Sequence, residues 1–289
     1  IMSDALENHE STVSIGGRTV NNLRFADDID GLAGKEDELN NLVKRLHETS
    51  TAYGMEISSE KTKIMTNNAD GFINEIKVKD QRLEAVTHFK YLGSIVSDEG
   101  SKQEILSRLA QATSALTKLR VIWKDKNISS KHKIRLLRSL VISTFLYACE
   151  SWTLTANLQK RIQAFEMRCY RKIFCISYKD HVTNEEVRNQ VTATIGKHDD
   201  LLSLVKRRKL KWYGHITRSK GLAKTILQGT VPGGRRRGRQ KKRWEDNVKE
   251  WTSLPLATTL RLAEDRDGWR RVVSSSTVPL QPQPAMGQR

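Results

Sequence analysis

The residues whose types and spacing point most directly to chemistry are Asp27 and Asp28, in the run Phe25-Ala26-Asp27-Asp28-Ile29. Adjacent acids in an extended segment point to opposite faces and repel each other. An apolar hairpin therefore gains no stability from them unless something positive sits there. A divalent metal is such a partner, because hard oxygen ligands that leave coordination positions open for phosphate oxygens are what Mg²⁺ uses at sites acting on nucleotides. The structural alternative is that the pair caps the helix that follows.

A second group of candidates is basic. Lys206, Arg207, Arg208 and Lys211 stand beside Trp212 and Tyr213, and Arg235, Arg236, Arg237, Arg239, Lys241, Lys242 and Arg243 form a dense tract with Gly233, Gly234 and Gly238. Glycine and arginine together keep such a tract solvated, and neutralising phosphates is its natural use. Nuclear targeting is the rival reading, and the two can coexist. Cys149, Cys169 and Cys175 form no C-x-x-C pair and fit a reducing compartment. With His181 they make a loose set whose spacing matches no structural zinc pattern, so buried apolar thiols account for them better.

The elements that must position these groups follow from periodicity. Residues 12–31 read as a β-hairpin with strands Val13-Ser14-Ile15 and Leu23-Arg24-Phe25 joined by Gly16-Gly17-Arg18-Thr19. Leu39, Leu42, Val43 and Leu46 predict an amphipathic helix that closes near Tyr53-Gly54. Short strands are expected at Met55-Glu56-Ile57, at 61–65 and on either side of Asp80, with a firmer strand and turn over 88–96.

From Ser101 the period becomes helical, up to Trp123, again from Ile134 to Tyr147 and again from Leu158 to Ile173. The outer faces of these helices carry Lys118, Arg120, Lys124, Lys126, Lys131, Lys133, Arg135 and Arg138, which can be a solvated surface and nothing more. A helical stretch over 184–205 breaks at Gly196, Trp244, Val248 and Trp251 fit another helix, 261–273 a further one, and 274–289 reads as disordered.

Charge is placed unevenly along this 289-residue chain of net charge +17. Residues 1–100 carry 11 basic and 18 acidic side chains, residues 101–180 carry 16 and 5, and residues 206–249 carry 16 and 2. An acidic module suited to cations thus precedes basic ones suited to a polyanion. No apolar run reaches the length of a membrane span and no signal peptide is evident, so an intracellular protein of the nucleus or cytoplasm is expected. The chain begins with Ile1, which suggests a piece of something longer.

In this order the segments resemble the C-terminal part of reverse transcriptases from non-LTR (LINE-type) retrotransposons, most closely the RTE-like endonuclease–reverse transcriptases. In that family a hairpin with F/Y-x-D-D forms the metal site of the palm, and Phe25-Ala26-Asp27-Asp28 is similar to it. Gly54-Met55-Glu56-Ile57-Ser58-Ser59-Glu60-Lys61-Thr62 resembles the later segment G-[LM]-x-[IV]-x-x-x-K-T, and Phe89-Lys90-Tyr91-Leu92-Gly93 resembles the primer-gripping F-x-Y-L-G.

The resemblance implies an α+β protein. Residues 1–100 would be a partial polymerase palm, an antiparallel sheet with a helix. Residues 101–180 would be an all-α thumb, 181–273 a basic helical C-terminal extension that binds nucleic acid, and 274–289 a disordered tail. Asp27 and Asp28 would hold Mg²⁺, Lys61 would protonate the departing pyrophosphate, and Tyr91, Leu92 and Gly93 would hold the primer backbone. An RNA template, a DNA primer and dNTP would be the partners of the intact enzyme. A further metal-binding aspartate and the nucleotide-holding segment of the family would lie upstream of Ile1. Little or no polymerase activity is therefore expected of this chain by itself. Two readings from other classes stay open: a nucleic-acid-binding protein without chemistry, and a helical interaction module whose basic tract is a nuclear signal.

Overall fold

Gly16 and Gly17 decide how the N-terminal region folds. With φ of +55° and +77° they make a two-residue turn that L side chains other than Asn and Asp rarely adopt. It joins β1 (Ser14–Ile15) to β2 (Arg18–Thr19). The chain then starts a second hairpin, β3 (Asn22–Phe25) and β4 (Asp28–Gly31), with Ala26 at φ +54° and Asp27 in its turn. The single hairpin expected over residues 12–31 is therefore two, and the acid pair sits at the tip of the second. Its register sets Phe25 opposite Asp28 and Leu23 opposite Asp30.

The computed structural model describes residues 2–6, 12–66, 76–230 and 240–277. It divides into two units: residues 1–98 with 219–239, and residues 99–218 with 240–289.

In the first unit, α1 (Met2–Ala5) is followed by the two hairpins and by α2 (Glu36–Ala52), whose Leu42 is buried. Tyr53 donates to Asp4 of α1 at 2.7 Å. The helix ends as a Schellman cap: Gly54 at φ +71° donates to Thr51 O at 3.0 Å and Met55 N–H to Ser50 O at 2.8 Å. That cap turns the chain so that Ile57 packs on the core formed by Ile64, Ile76, Val78 and Leu83, together with Leu39 and Val43. The strand expected at Met55-Glu56-Ile57 does not form.

Pairing continues with β5 (Lys63–Ile64), β6 (Lys77–Val78), β7 (Gln81–Arg82), β8 (Glu84–Ala85), β9 (His88–Tyr91) and β10 (Ser94–Ser97). β5 runs parallel to β8, while β6–β7 and β9–β10 are antiparallel hairpins. Leu92 and Gly93, at φ +47° and +79°, turn the last of these. Among the described residues every sheet is two-stranded.

The second unit is helical: α3 (Lys102–Lys118), α4 (Arg120–Lys124), α5 (Ser130–Leu136), α6 (Ser143–Phe145), α7 (Ala156–Ile173), α8 (Asn184–Ile195) and α9 (Leu201–Arg218). A π-helical turn, Leu137–Ile142, joins α5 to α6. Thr155 and Thr183 cap α7 and α8, Thr183 with Glu186 in a reciprocal capping box. Phe145 lies at the centre of the core, its ring 5.2 Å from Trp152 edge-on and 5.8 Å from Phe165. Lys133, expected on an outer face, is buried and donates to Trp123 O at 2.9 Å. A long side chain that meets a free carbonyl can be buried at a cost its sequence pattern does not reveal.

After α9 the chain returns to the first unit through α10 (Leu222–Gln228), where Gly16 N–H donates to Thr230 O at 3.0 Å. It then rejoins the second unit as α11 (Trp244–Thr252), α12 (Leu256–Glu264) and α13 (Arg266–Ser276). The one helix expected over 261–273 is split at Asp265, whose carboxylate accepts Asp267 N–H at 3.0 Å and Gly268 N–H at 2.9 Å. Residues 101–180 and 181–273, read as two segments, thus pack as one unit apart from 219–239. Of the tail expected to be disordered, Ser274 to Ser276 are helical and Thr277 is buried, and 278–289 lie outside the described residues. Among the described residues no helix is long and apolar enough to cross a membrane.

Candidate metal and nucleic-acid sites

In the first unit the alternation of β4 puts Asp28 and Asp30 on one face, with Asp27 beside them in the turn. Asp27 and Asp28 are exposed and Phe25 is 62% exposed, so the hairpin tip stands clear of the unit's core. Asp30 is half-buried and lies near the Tyr91 hydroxyl. Burial pushes the Asp30 carboxyl above its usual range, the Tyr91 hydroxyl opposes that, and the Asp28 charge adds to it. Tyr91 is raised in turn by burial and by the charges of Asp30 and Asp28. The acidic hairpin and the Tyr91-Leu92-Gly93 turn, far apart in sequence, therefore meet through these two side chains. Sequence reasoning missed Asp30, although its period-2 spacing from Asp28 was the available signal.

As metal ligands Asp27 and Asp28 are donors of the right kind and too few. Two carboxylates would leave most positions of an octahedral Mg²⁺ to water and phosphate oxygens. Among the described residues no group of three or more His, Cys, Asp or Glu could hold an ion, and this applies equally to the loose cysteine and histidine set. Cys149 and Cys169 are buried, and burial pushes both thiols up to about 12, while Cys175 is exposed. Lys61 is exposed, one residue before Thr62, whose N–H and hydroxyl both bond Ser58 O.

The second unit sorts the basic candidates. Arg207 forks onto Asp199, with one bond of 2.8 Å, and also reaches Thr277. Arg208 donates to Leu146 O at 3.0 Å and lies 3.8 Å from Glu150. Lys206 is half-buried, its ammonium 5.6 Å from the Trp251 ring centre, and burial lowers its pKa. Lys242 is ion-paired with Glu250. Lys211, Lys241 and Arg243 are exposed, and Arg235, Arg236, Arg237 and Arg239 lie outside the described residues.

Between these basic residues stands one that faces inward. Lys209 is fully buried, donates to Trp152 O at 2.7 Å and Asn247 Oδ1 at 3.2 Å, and sits 4.2 Å from the Trp244 ring centre. Burial lowers its pKa to about 6. Asn247 completes the connection by exchanging hydrogen bonds with Leu154 at 2.7 and 2.9 Å. The mix of bases and aromatics at 206–215 is thus partly the inner face of α9.

Over 281 aligned residues the chain is 27% identical to an uncharacterized transposon-derived protein of Caenorhabditis elegans, covering 91% of this chain and 98% of that protein. No family model matches the chain. No solved structure matches it.

Proposed function

We propose that this chain descends from the palm and the following helical region of a non-LTR retrotransposon reverse transcriptase, and that nucleic-acid binding is the activity it retains. The observation that carries this reading is the electrostatic coupling of Tyr91 to Asp30, which brings the F-x-D-D-like hairpin and the F-x-Y-L-G-like turn together within one unit. A transposon-derived relative of almost the same extent supports the mobile-element part.

In the intact enzyme of such an element, Mg²⁺ held in part by Asp27 and Asp28 would neutralise charge as a primer 3′-hydroxyl attacks a dNTP. Lys61 is the candidate proton donor to pyrophosphate, and Tyr91, Leu92 and Gly93 are the candidate primer contacts. Here no three acidic side chains among the described residues, Asp30 included, are placed to hold an ion together. The chain by itself is therefore assigned binding without synthesis. A non-catalytic RNA- or DNA-binding protein of the nucleus or cytoplasm, derived from a retroelement, fits the same observations.

The test is a primer-extension assay on an RNA template with the full chain, wild type against Asp27→Asn, beside an electrophoretic shift with the same nucleic acid. Equal shifts without synthesis in either protein are expected. Synthesis that depends on Asp27 overturns the assignment of binding alone, and no shift at all overturns the binding.

A further inference from the structure

A cavity of about 660 Å³ opens on the second unit, lined by α4, α7 and the loop that leads into α8. Besides Arg171, its cationic lining groups are Lys124, the last residue of α4, and Arg168 and Lys172, one helical turn apart on α7. All three are exposed, and none is ion-paired among the described residues. Among the described residues no acidic side chain lines the cavity.

The apolar part of the lining includes Met167 and Ile176, buried and half-buried, beside Ala164. Arg171 fixes the far wall by donating to Asn184 Oδ1 at 2.7 Å and Val182 O at 2.9 Å. Ser177, also in the lining, is followed in the chain by Tyr178, which is 84% exposed.

We propose that this groove holds an unpaired nucleotide of a single nucleic-acid strand. Phosphates would lie on Lys124, Arg168 and Lys172, and a base would lie against Met167 and Ile176 with Tyr178 as a stacking neighbour. Unpaired cations beside apolar surface and an exposed aromatic form the combination that takes a single strand without reading its sequence. A carboxylate-bearing peptide would use the same cations but has no use for the exposed ring. The proposal rests on the nucleic-acid-binding reading above and names residues that play no part in it.

Cys175 supplies the readout. It lines the groove and is exposed, whereas Cys149 and Cys169 are buried, so alkylation of the native full chain reports on the groove alone. Oligo(dT) and oligo(U) are added at about ten times their dissociation constants from fluorescence anisotropy. Either should slow alkylation about tenfold, as mass action requires of a site that reacts only when empty. The double variants R168E/K172E and R168Q/K172Q should each lose the protection, and the salt dependence of binding should fall by about one unit of log–log slope per phosphate contact removed.

If an oligonucleotide binds while Cys175 reacts at its free rate, the groove assignment is wrong and the nucleic-acid reading stands. If polyglutamate protects as well as the oligonucleotide, the groove belongs to an acidic partner and the proposal fails. If no nucleic acid binds, both fail together.

Discussion

The Tyr91 hydroxyl lies near enough to the Asp30 carboxylate for each to shift the other's titration, which places the β9–β10 hairpin beside the hairpin that bears Asp27 and Asp28. Replacing Tyr91 by Phe removes the hydroxyl that opposes the upward shift of Asp30. The Asp30 pKa should then rise further above the ordinary carboxylate range, because that hydroxyl favours the ionised form. The unit should lose about 1 kcal/mol near neutral pH, the low end for a polar contact to a charged group that is only half-buried. An NMR titration of the Asp30 carboxyl with denaturant unfolding checks both. An unmoved Asp30 titration shows that the two hairpins are not linked this way.

Glu166 contributes to the pH dependence of the second unit. It is buried under the start of α9, where it accepts Leu201 N–H at 2.8 Å and the Tyr170 hydroxyl at 3.2 Å. Burial, and secondarily the Asp200 charge, raise its pKa from 4.5 to about 7, against the pull of its two hydrogen bonds and of Arg188. A carboxyl raised in the fold keeps its proton longer there than in the unfolded chain. Its favourable share is therefore complete at low pH and is lost as pH rises from about 4.5 to about 7. The loss amounts to up to about 3 kcal/mol. Glu166→Gln keeps an acceptor for Leu201 and removes the titration, so its thermal midpoint should lack the fall that Glu166 gives the wild type over this window, while the Lys209 contribution is common to both proteins. Parallel profiles for the two proteins would contradict the assignment.

Gly214 on α9 lies against the Trp269 indole of α13, and a Cβ at that position would overlap the ring. The indole is pinned against this stretch of α9, since its N–H donates to Leu210 O at 2.8 Å. Gly214→Ala should cost about 1–3 kcal/mol, the usual range for overpacking a closed contact. Trp269→Leu should also destabilise, but the two changes together should cost less than their sum, because the smaller side chain leaves room for the methyl group. Strict additivity in denaturant unfolding would show that the two residues do not touch.

Much of this architecture is legible in the sequence, and the exceptions have physical causes. The apolar face of α2 and its end at Gly54 follow from spacing and from the one residue that tolerates the cap's backbone. The Leu92-Gly93 hairpin turn is equally local. Gly16-Gly17 misleads because two glycines suffice for a turn, so Arg18 and Thr19 form a strand and not part of the loop. The return of 219–230 to the first unit is carried by contacts such as Gly16 to Thr230, which no local period announces.

Charge is the least legible feature. Lys133 and Lys209 look like their solvated neighbours in sequence but end on backbone carbonyls inside the helical unit. Arg207 is bound to Asp199 at the preceding loop. At the acidic hairpin the pair Asp27-Asp28 stands out by type, whereas Asp30 becomes visible only through Tyr91.

The most direct measurement is the affinity of the full chain for an RNA template annealed to a DNA primer, followed by fluorescence anisotropy across a salt series. The predicted result is a logarithm of affinity that falls linearly with the logarithm of salt concentration. When Arg235, Arg236, Arg237 and Arg239 are changed to Gln, the slope should shrink by roughly one for each phosphate that is no longer neutralised, and Asp27→Asn should leave it unchanged. An affinity indifferent to salt, or no binding at low salt, would contradict descent into a nucleic-acid-binding protein.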